Sequence, residues 1–130
     1  LGRAIETAEH IIAGRDIPIY INEDLKEFSF GSMEGDSEEE LRNIYPVLQG
    51  NEVKGFDGES MPAFTKRILH GLDTIRNENR DGNILVVTHS GVITALLKTV
   101  SNLPEKDIIH INNCSVTKLT WNYGWKTVRK

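Results

Sequence analysis

The chain has 130 residues, of which 38% are hydrophobic and 26% are charged, and its formal net charge at pH 7 is -4. This length predicts one domain with a modest core, and this composition is typical of a globular protein rather than a disordered one. The acidic balance argues against a nucleic-acid or anionic-membrane partner, and the single cysteine, Cys114, excludes an intrachain disulfide.

Two elements are predicted before residue 22. Apolar residues recur on one face from Arg3 to Ala13, which predicts a helix that ends at Gly14. Arg3 and Thr7 lie four positions apart near its start and could both face one ligand, although a solvated arginine is the simpler alternative. Isoleucines then alternate with other residues over 17–21, which predicts a short edge strand around Pro18.

A loop rich in glycine, aromatic residues and acids follows, over residues 24–35. Glu27 and Glu34 are its candidate acid and base groups, and ordinary solvated carboxylates are the alternative interpretation. The apolar residues of the loop, Phe28, Phe30 and Met33, are suited to sealing a core beneath it.

Two helices are predicted in the middle of the chain. Residues 37–40 have the spacing of a capping box, which predicts a short helix that ends just before Pro46. Residues 49–58 are predicted to form a mobile loop that could act as a lid. Ser60 then caps a second helix with an apolar stripe, in which His70 is expected to be packed.

The most informative stretch is residues 84–93, Ile-Leu-Val-Val-Thr-His-Ser-Gly-Val-Ile. Its uninterrupted apolar and β-branched start predicts a strand buried on both faces that ends at His89. Ser90 is expected to cap the helix that follows, and Gly91 allows another group to approach closely. The carboxyl end of such a strand, next to a helix N-terminus, favours an anion. A polar residue that merely ends a strand is the alternative.

The last third of the sequence is predicted to contain a helix up to Val100, a short apolar segment over 107–111, and an alternating strand over 116–121. Gly124 then predicts a hairpin-like turn into residues 125–128.

Four motifs occur in an order that resembles the histidine phosphatase superfamily, in its phosphoglycerate mutase-like branch. They are Leu-Gly-Arg-Ala-Ile-Glu-Thr-Ala at residues 1–8, Glu27 with the glycines and Glu34 that follow it, Gly-Glu-Ser at 58–60 with Arg67, and Thr-His-Ser-Gly at 88–91. The resemblance covers nearly the whole chain. It implies a three-layer α/β/α sandwich with a mostly parallel sheet, in one domain over residues 1–130.

The resemblance also implies roles for single residues. Arg3 corresponds to an arginine that grips the phosphoryl oxygens, and His89 to a histidine that stabilises the transferring group. Glu27 corresponds to the acid that protonates the leaving alkoxide. Ser90 and Gly91 would complete the substrate-binding site at the helix start. No metal or cofactor is implied, and the expected ligand is a small phosphorylated metabolite in the cytoplasm, with self-association left open.

One part of the family pattern has no counterpart in this sequence. The nucleophile belongs to an Arg-His-Gly motif, and none of the four histidines follows an arginine. We therefore expect the first strand and the nucleophile to lie upstream of Leu1, and we expect the chain as printed to be unable to form a phosphoenzyme.

The sequence thus predicts a phosphomonoester hydrolase that acts through a phosphohistidine. Phosphoglycerate mutase-type transfer and a non-catalytic phosphate-binding module are the alternatives. A metal hydrolase built on His89 is disfavoured because no second histidine lies at ligand spacing.

Overall fold

The computed structural model describes residues 1–48, 56–101, 110–122 and 124–128. It contains four α-helices, which are α1 (Gly2–Ile12), α2 (Glu38–Leu48), α3 (Met61–Glu78) and α4 (Ser90–Val100). Two short strands, β1 (Leu119–Trp121) and β2 (Trp125–Thr127), pair antiparallel with Trp121 opposite Trp125. Single 3-10 turns lie at Glu23–Leu25 and Gly31–Met33. The predicted hairpin is therefore confirmed.

The helix boundaries follow the caps that the sequence contains. The hydroxyl of Ser60 accepts a hydrogen bond from the N–H of Ala63 over 3.3 Å, which satisfies one of the free donors at the start of α3. At the start of α2, Ser37 and Glu40 bond to each other in both directions. The predicted end of α2 is wrong, because this helix continues through Pro46 to Leu48.

The core lies between α3, α4 and the loop that precedes α2. Helix α3 packs against the first 3-10 turn and against α4, and α4 also contacts β2. Burying each large apolar side chain contributes roughly 1.5–3 kcal/mol, so this cluster fixes the loop onto the helices. Its buried members are Leu25, Phe28, Phe64, Ile68, Leu72, Val92, Ala95 and Leu96.

Two predicted strands are wrong in the part of the chain that the structure describes. Residues 84–88 carry no strand pairing, and Leu85, predicted to be buried, is 63% exposed. Residues 17–21 are likewise unpaired, with Ile21 68% exposed. A β-branched run favours a strand, but its burial depends on neighbouring strands and helices. No described segment covers either run in this way.

The predicted parallel sheet and its three layers are therefore not observed within these ranges, where β1 and β2 form the single sheet. The predicted lid over 49–58 and the apolar segment over 107–111 lie largely outside the described residues. Among the described helices, none is both long and apolar enough to cross a lipid bilayer.

Candidate functional site

His89 stands at the junction between residues 84–88 and α4. Its backbone is extended, with φ -118° and ψ 160°, and its carbonyl accepts the first bond of the helix from the N–H of Ile93 over 3.1 Å. His89 is therefore the N-cap residue, and the predicted cap at Ser90 is wrong by one position. The His89 side chain is only 8% exposed, whereas Ser90 is exposed.

The carboxylate of Glu27 lies against the first turn of α4. One of its oxygens, Oε2, accepts a hydrogen bond from the N–H of Gly91 over 3.3 Å, and Oε1 accepts one from the N–H of Phe28 over 3.0 Å. A Cβ added to Gly91 would lie 2.2 Å from Oε1 of Glu27. The close approach predicted for Gly91 is therefore made by this carboxylate.

Arg3 is exposed in the first turn of α1. Thr7, predicted to face the same ligand, instead donates its hydroxyl hydrogen to the carbonyl of Arg3 over 2.8 Å. Such back-bonding within a helix is common for threonine and leaves its hydroxyl engaged. Of this pair, the Arg3 guanidinium is thus the group that remains available to a ligand.

Burial and two nearby charges set the pKa of His89. Burial lowers the pKa of His89 below its ordinary value of 6.5, and the positive charge of Arg3 lowers it further. The negative charge of Glu27 acts in the opposite direction. The charges of Arg3 and Glu27 therefore act on the pKa of His89 in opposite directions.

Glu59 and Arg67 form an ion pair close to the backbone of Glu27, and sequence reasoning assigned them only to a motif. The Arg67 Nε and Nη2 atoms donate to Oε1 and Oε2 of Glu59 over 2.8 and 2.7 Å. Their separation in the sequence, eight residues with Glu59 just before α3, was the available signal.

The other acidic and histidine candidates have structural partners. Glu34 accepts the N–H of Phe30 over 2.9 Å and is exposed. His70, predicted to be packed, is exposed, and its Nδ1 lies 2.6 Å from Oδ2 of Asp24. The apolar stripe of α3 runs past His70 rather than through it, so the packing prediction is wrong.

No three or more His, Cys, Asp or Glu side chains within the described ranges are grouped so as to hold a metal ion. At the start of α4 the structure brings together a buried imidazole, a carboxylate and a helix N-terminus. The helix N-terminus favours a bound anion, and the carboxylate can exchange a proton.

Two known proteins are similar to this chain in sequence. The chain is 28% identical over 116 residues to the adenosylcobalamin/alpha-ribazole phosphatase of Salmonella typhimurium, covering 85% of this chain and 57% of that protein. It is 31% identical over 123 residues to a 2,3-bisphosphoglycerate-dependent phosphoglycerate mutase of Cytophaga hutchinsonii, covering 86% and 57%. The chain thus spans little more than half the length of these relatives.

The fold is also similar to that of a solved structure. Bacillus stearothermophilus YhfR superposes with a TM-score of 0.80 at 28% identity, over 98% of this chain and 67% of that one. This similarity supports the expected phosphoglycerate mutase-like fold. The model of the histidine phosphatase superfamily, branch 1, matches residues 1–130, and the chain therefore belongs to that superfamily.

Proposed function

We propose that this site transfers the phosphoryl group of a small phosphomonoester to water. Arg3, His89 and the start of α4 at Ser90 would hold the phosphoryl oxygens, and Glu27 would exchange the proton. The observation that carries the proposal is the contact of the Glu27 carboxylate with the first turn of α4, directly after the buried His89.

The physical chemistry of the reaction favours this combination of groups. Phosphoryl transfer is catalysed mainly by positioning and by stabilising negative charge that spreads over the phosphoryl oxygens. A helix N-terminus contributes about half a positive charge, and the guanidinium of Arg3 can grip two oxygens at once. His89 has a lowered pKa because it is buried, and an arriving phosphate dianion would favour its protonated form.

Glu27 is proposed as the general acid and base. In the first step the phosphoryl group would pass to the nucleophilic histidine that family membership implies, and a protonated Glu27 would give its proton to the bridging oxygen as its bond to phosphorus breaks, so that the alcohol leaves neutral. The Glu27 carboxylate would then remove a proton from the water that attacks the phosphohistidine, which releases inorganic phosphate and the free imidazole. A positioned group of this kind contributes roughly 10²- to 10⁴-fold in rate.

The phosphohistidine step rests on family membership. The printed sequence contains no Arg-His-Gly motif, and the described histidines other than His89 have no proposed role in the chemistry. His10, for example, bonds through Nδ1 to the carbonyl of Glu6 over 2.7 Å. The nucleophile is therefore not assigned to a residue of this chain.

Hydrolysis is proposed over mutase-type transfer because the short connection from Glu27 to Glu59 resembles the phosphatases of the superfamily. Phosphoglycerate mutase activity is the second candidate, and the 31% identity to the Cytophaga hutchinsonii enzyme favours it. The two differ in whether water or a second alcohol accepts the phosphoryl group.

The test uses protein expressed from the complete open reading frame that encodes this chain. We expect hydrolysis of 4-nitrophenyl phosphate and of alkyl phosphates, and a loss of at least about 100-fold in kcat/KM for His89→Ala and Arg3→Ala. Arg80→Ala, which removes an exposed arginine after α3, is the matched control and should be unchanged. Phosphate binding without turnover would favour the non-catalytic module, and full activity of both variants would refute the proposed site.

A further inference from the structure

The guanidinium of Arg67 donates five hydrogen bonds, as many as it has N–H groups. Besides the two bonds to Glu59, Nη1 donates to the carbonyls of Asp24 and Lys26 over 2.6 and 3.1 Å. Nη2 donates a long bond of 3.4 Å to the carbonyl of Glu27. One side chain of α3 therefore binds three carbonyls of the loop that carries Glu27.

The remaining carbonyl of residues 24–27, that of Leu25, is bound by a residue outside α3. The hydroxyl of Thr88 donates to the carbonyl of Leu25 over 2.8 Å. All four consecutive carbonyls over residues 24–27 thus accept hydrogen bonds from side chains, and Thr88 directly precedes His89. The loop is therefore hydrogen-bonded both to Arg67 of α3 and to Thr88, the residue next to the buried imidazole.

Arg67 is itself held in place. Its pKa is raised, chiefly by the hydrogen bonds to Glu59, so it stays charged. Its guanidinium carbon lies 5.1 Å from the centre of the Phe64 ring, and Phe64 is only 1% exposed. A planar group fixed by a bidentate carboxylate and a buried ring below it has little freedom to move.

We propose that Arg67, oriented by Glu59, is the positioning residue for the Glu27 carboxyl. Arg67 donates a hydrogen bond to the backbone carbonyl of Glu27 and fixes it, and the N–H of Gly91 donates one to the carboxylate at the end of the Glu27 side chain. This inference rests on the proposed function of Glu27. Lysine cannot replace Arg67, since an ammonium has three donors and no planar fork.

The experiment compares two substrates of different leaving group in the protein from the complete reading frame. An alkyl phosphate needs its leaving oxygen protonated, whereas 4-nitrophenolate leaves with little assistance. We expect Arg67→Lys to lower kcat/KM, which reports the step in which the leaving group departs, about 10- to 100-fold for the alkyl phosphate, while the loss for 4-nitrophenyl phosphate is much smaller. Glu27→Gln should show the same selective loss in kcat/KM.

Arg76→Lys is the matched control, because it makes the same change on the same helix. Arg76 lies 4.1 Å over the Trp121 ring and has no contact with loop 24–27 among its described interactions. We expect it to leave the ratio of the two substrates unchanged. An equal loss on both substrates in Arg67→Lys would overturn the positioning role.

If the protein hydrolyses neither substrate, the proposed function is refuted, but the positioning role of Arg67 is not. A second measurement tests that role without turnover. The amide resonance of Gly91 reports the position of the Glu27 carboxylate, since this N–H donates to it. Glu27→Gln should shift that resonance, and Arg67→Lys should shift it as well. A Gly91 resonance at its wild-type position in Arg67→Lys would overturn the inference.

Discussion

The N–H of Gly91 donates to the Glu27 carboxylate over 3.3 Å, and this contact leaves no room for a side chain at position 91. The Cβ of an alanine there would lie 2.2 Å from Oε1 of Glu27, well inside the contact distance of the two atoms. We therefore expect Gly91→Ala to displace the carboxylate and to lower kcat for an alkyl phosphate about 10- to 100-fold. Steady-state kinetics on both substrates would measure this.

Gly2→Ala is the control for this substitution, because a Cβ at Gly2 meets no atom within 4 Å. Alanine also has the higher helix propensity, so this variant should fold at least as well as the wild type. Unchanged alkyl phosphate turnover in Gly91→Ala would show that the Glu27 carboxylate need not lie at the start of α4.

Burial of His89 predicts a pH dependence of stability. Its folded-state pKa lies below the ordinary value of 6.5, so the unfolded chain binds a proton at a higher pH than the folded one. The free energy of unfolding should therefore fall as the pH drops through 6.5 towards the folded-state pKa. Chemical denaturation of the wild type and of His89→Gln at several pH values would isolate this contribution.

The contribution of His89 is the difference in the free energy of unfolding between the wild type and His89→Gln at each pH. Asp57 and Glu40 also have lowered pKa values, because they accept hydrogen bonds from Ser32 and Ser37 respectively. Their contributions are lost at lower pH and are common to both proteins. Parallel stability curves for the wild type and His89→Gln would argue that the imidazole is not held neutral by burial.

The two charges beside His89 should shift its pKa in opposite directions. Arg3→Ala removes a positive charge and should raise the pKa of His89, while Glu27→Gln removes a negative charge and should lower it. Proton NMR of the imidazole during a pH titration would follow both shifts. Arg80→Ala should have no effect, and if Arg3→Ala also had none, the guanidinium would not share a site with His89.

Much of the helical structure could be predicted because its determinants are local. The hydroxyl of Ser60 and the reciprocal pair of Ser37 and Glu40 act within one turn of chain, and their spacing is visible in the sequence. The apolar spacing of α3 likewise predicts the buried positions of Phe64 and Ile68.

The errors concern interactions between distant parts of the chain. Leu85 belongs to an apolar run, but its burial depends on segments that no local pattern specifies. His70 lies next to the apolar stripe, yet its partner is Asp24, 46 residues earlier. The candidate site shows the same division. His89 and Glu27 were proposed from their motifs, whereas the five hydrogen bonds of Arg67, to acceptors up to 43 residues away, were not predicted.

The Phe64 ring connects the stability of the core to the site above it. It is 1% exposed, lies edge-on to Phe28 with ring centres 5.2 Å apart, and supports the guanidinium of Arg67. Phe64→Ala would leave a cavity beneath that guanidinium, so we expect a loss of about 3–5 kcal/mol in the free energy of unfolding. Tyr20→Ala removes an aromatic ring that is 86% exposed and should change the free energy of unfolding by less than about 0.5 kcal/mol. Equal effects of the two substitutions in denaturant titrations would contradict the central position of Phe64.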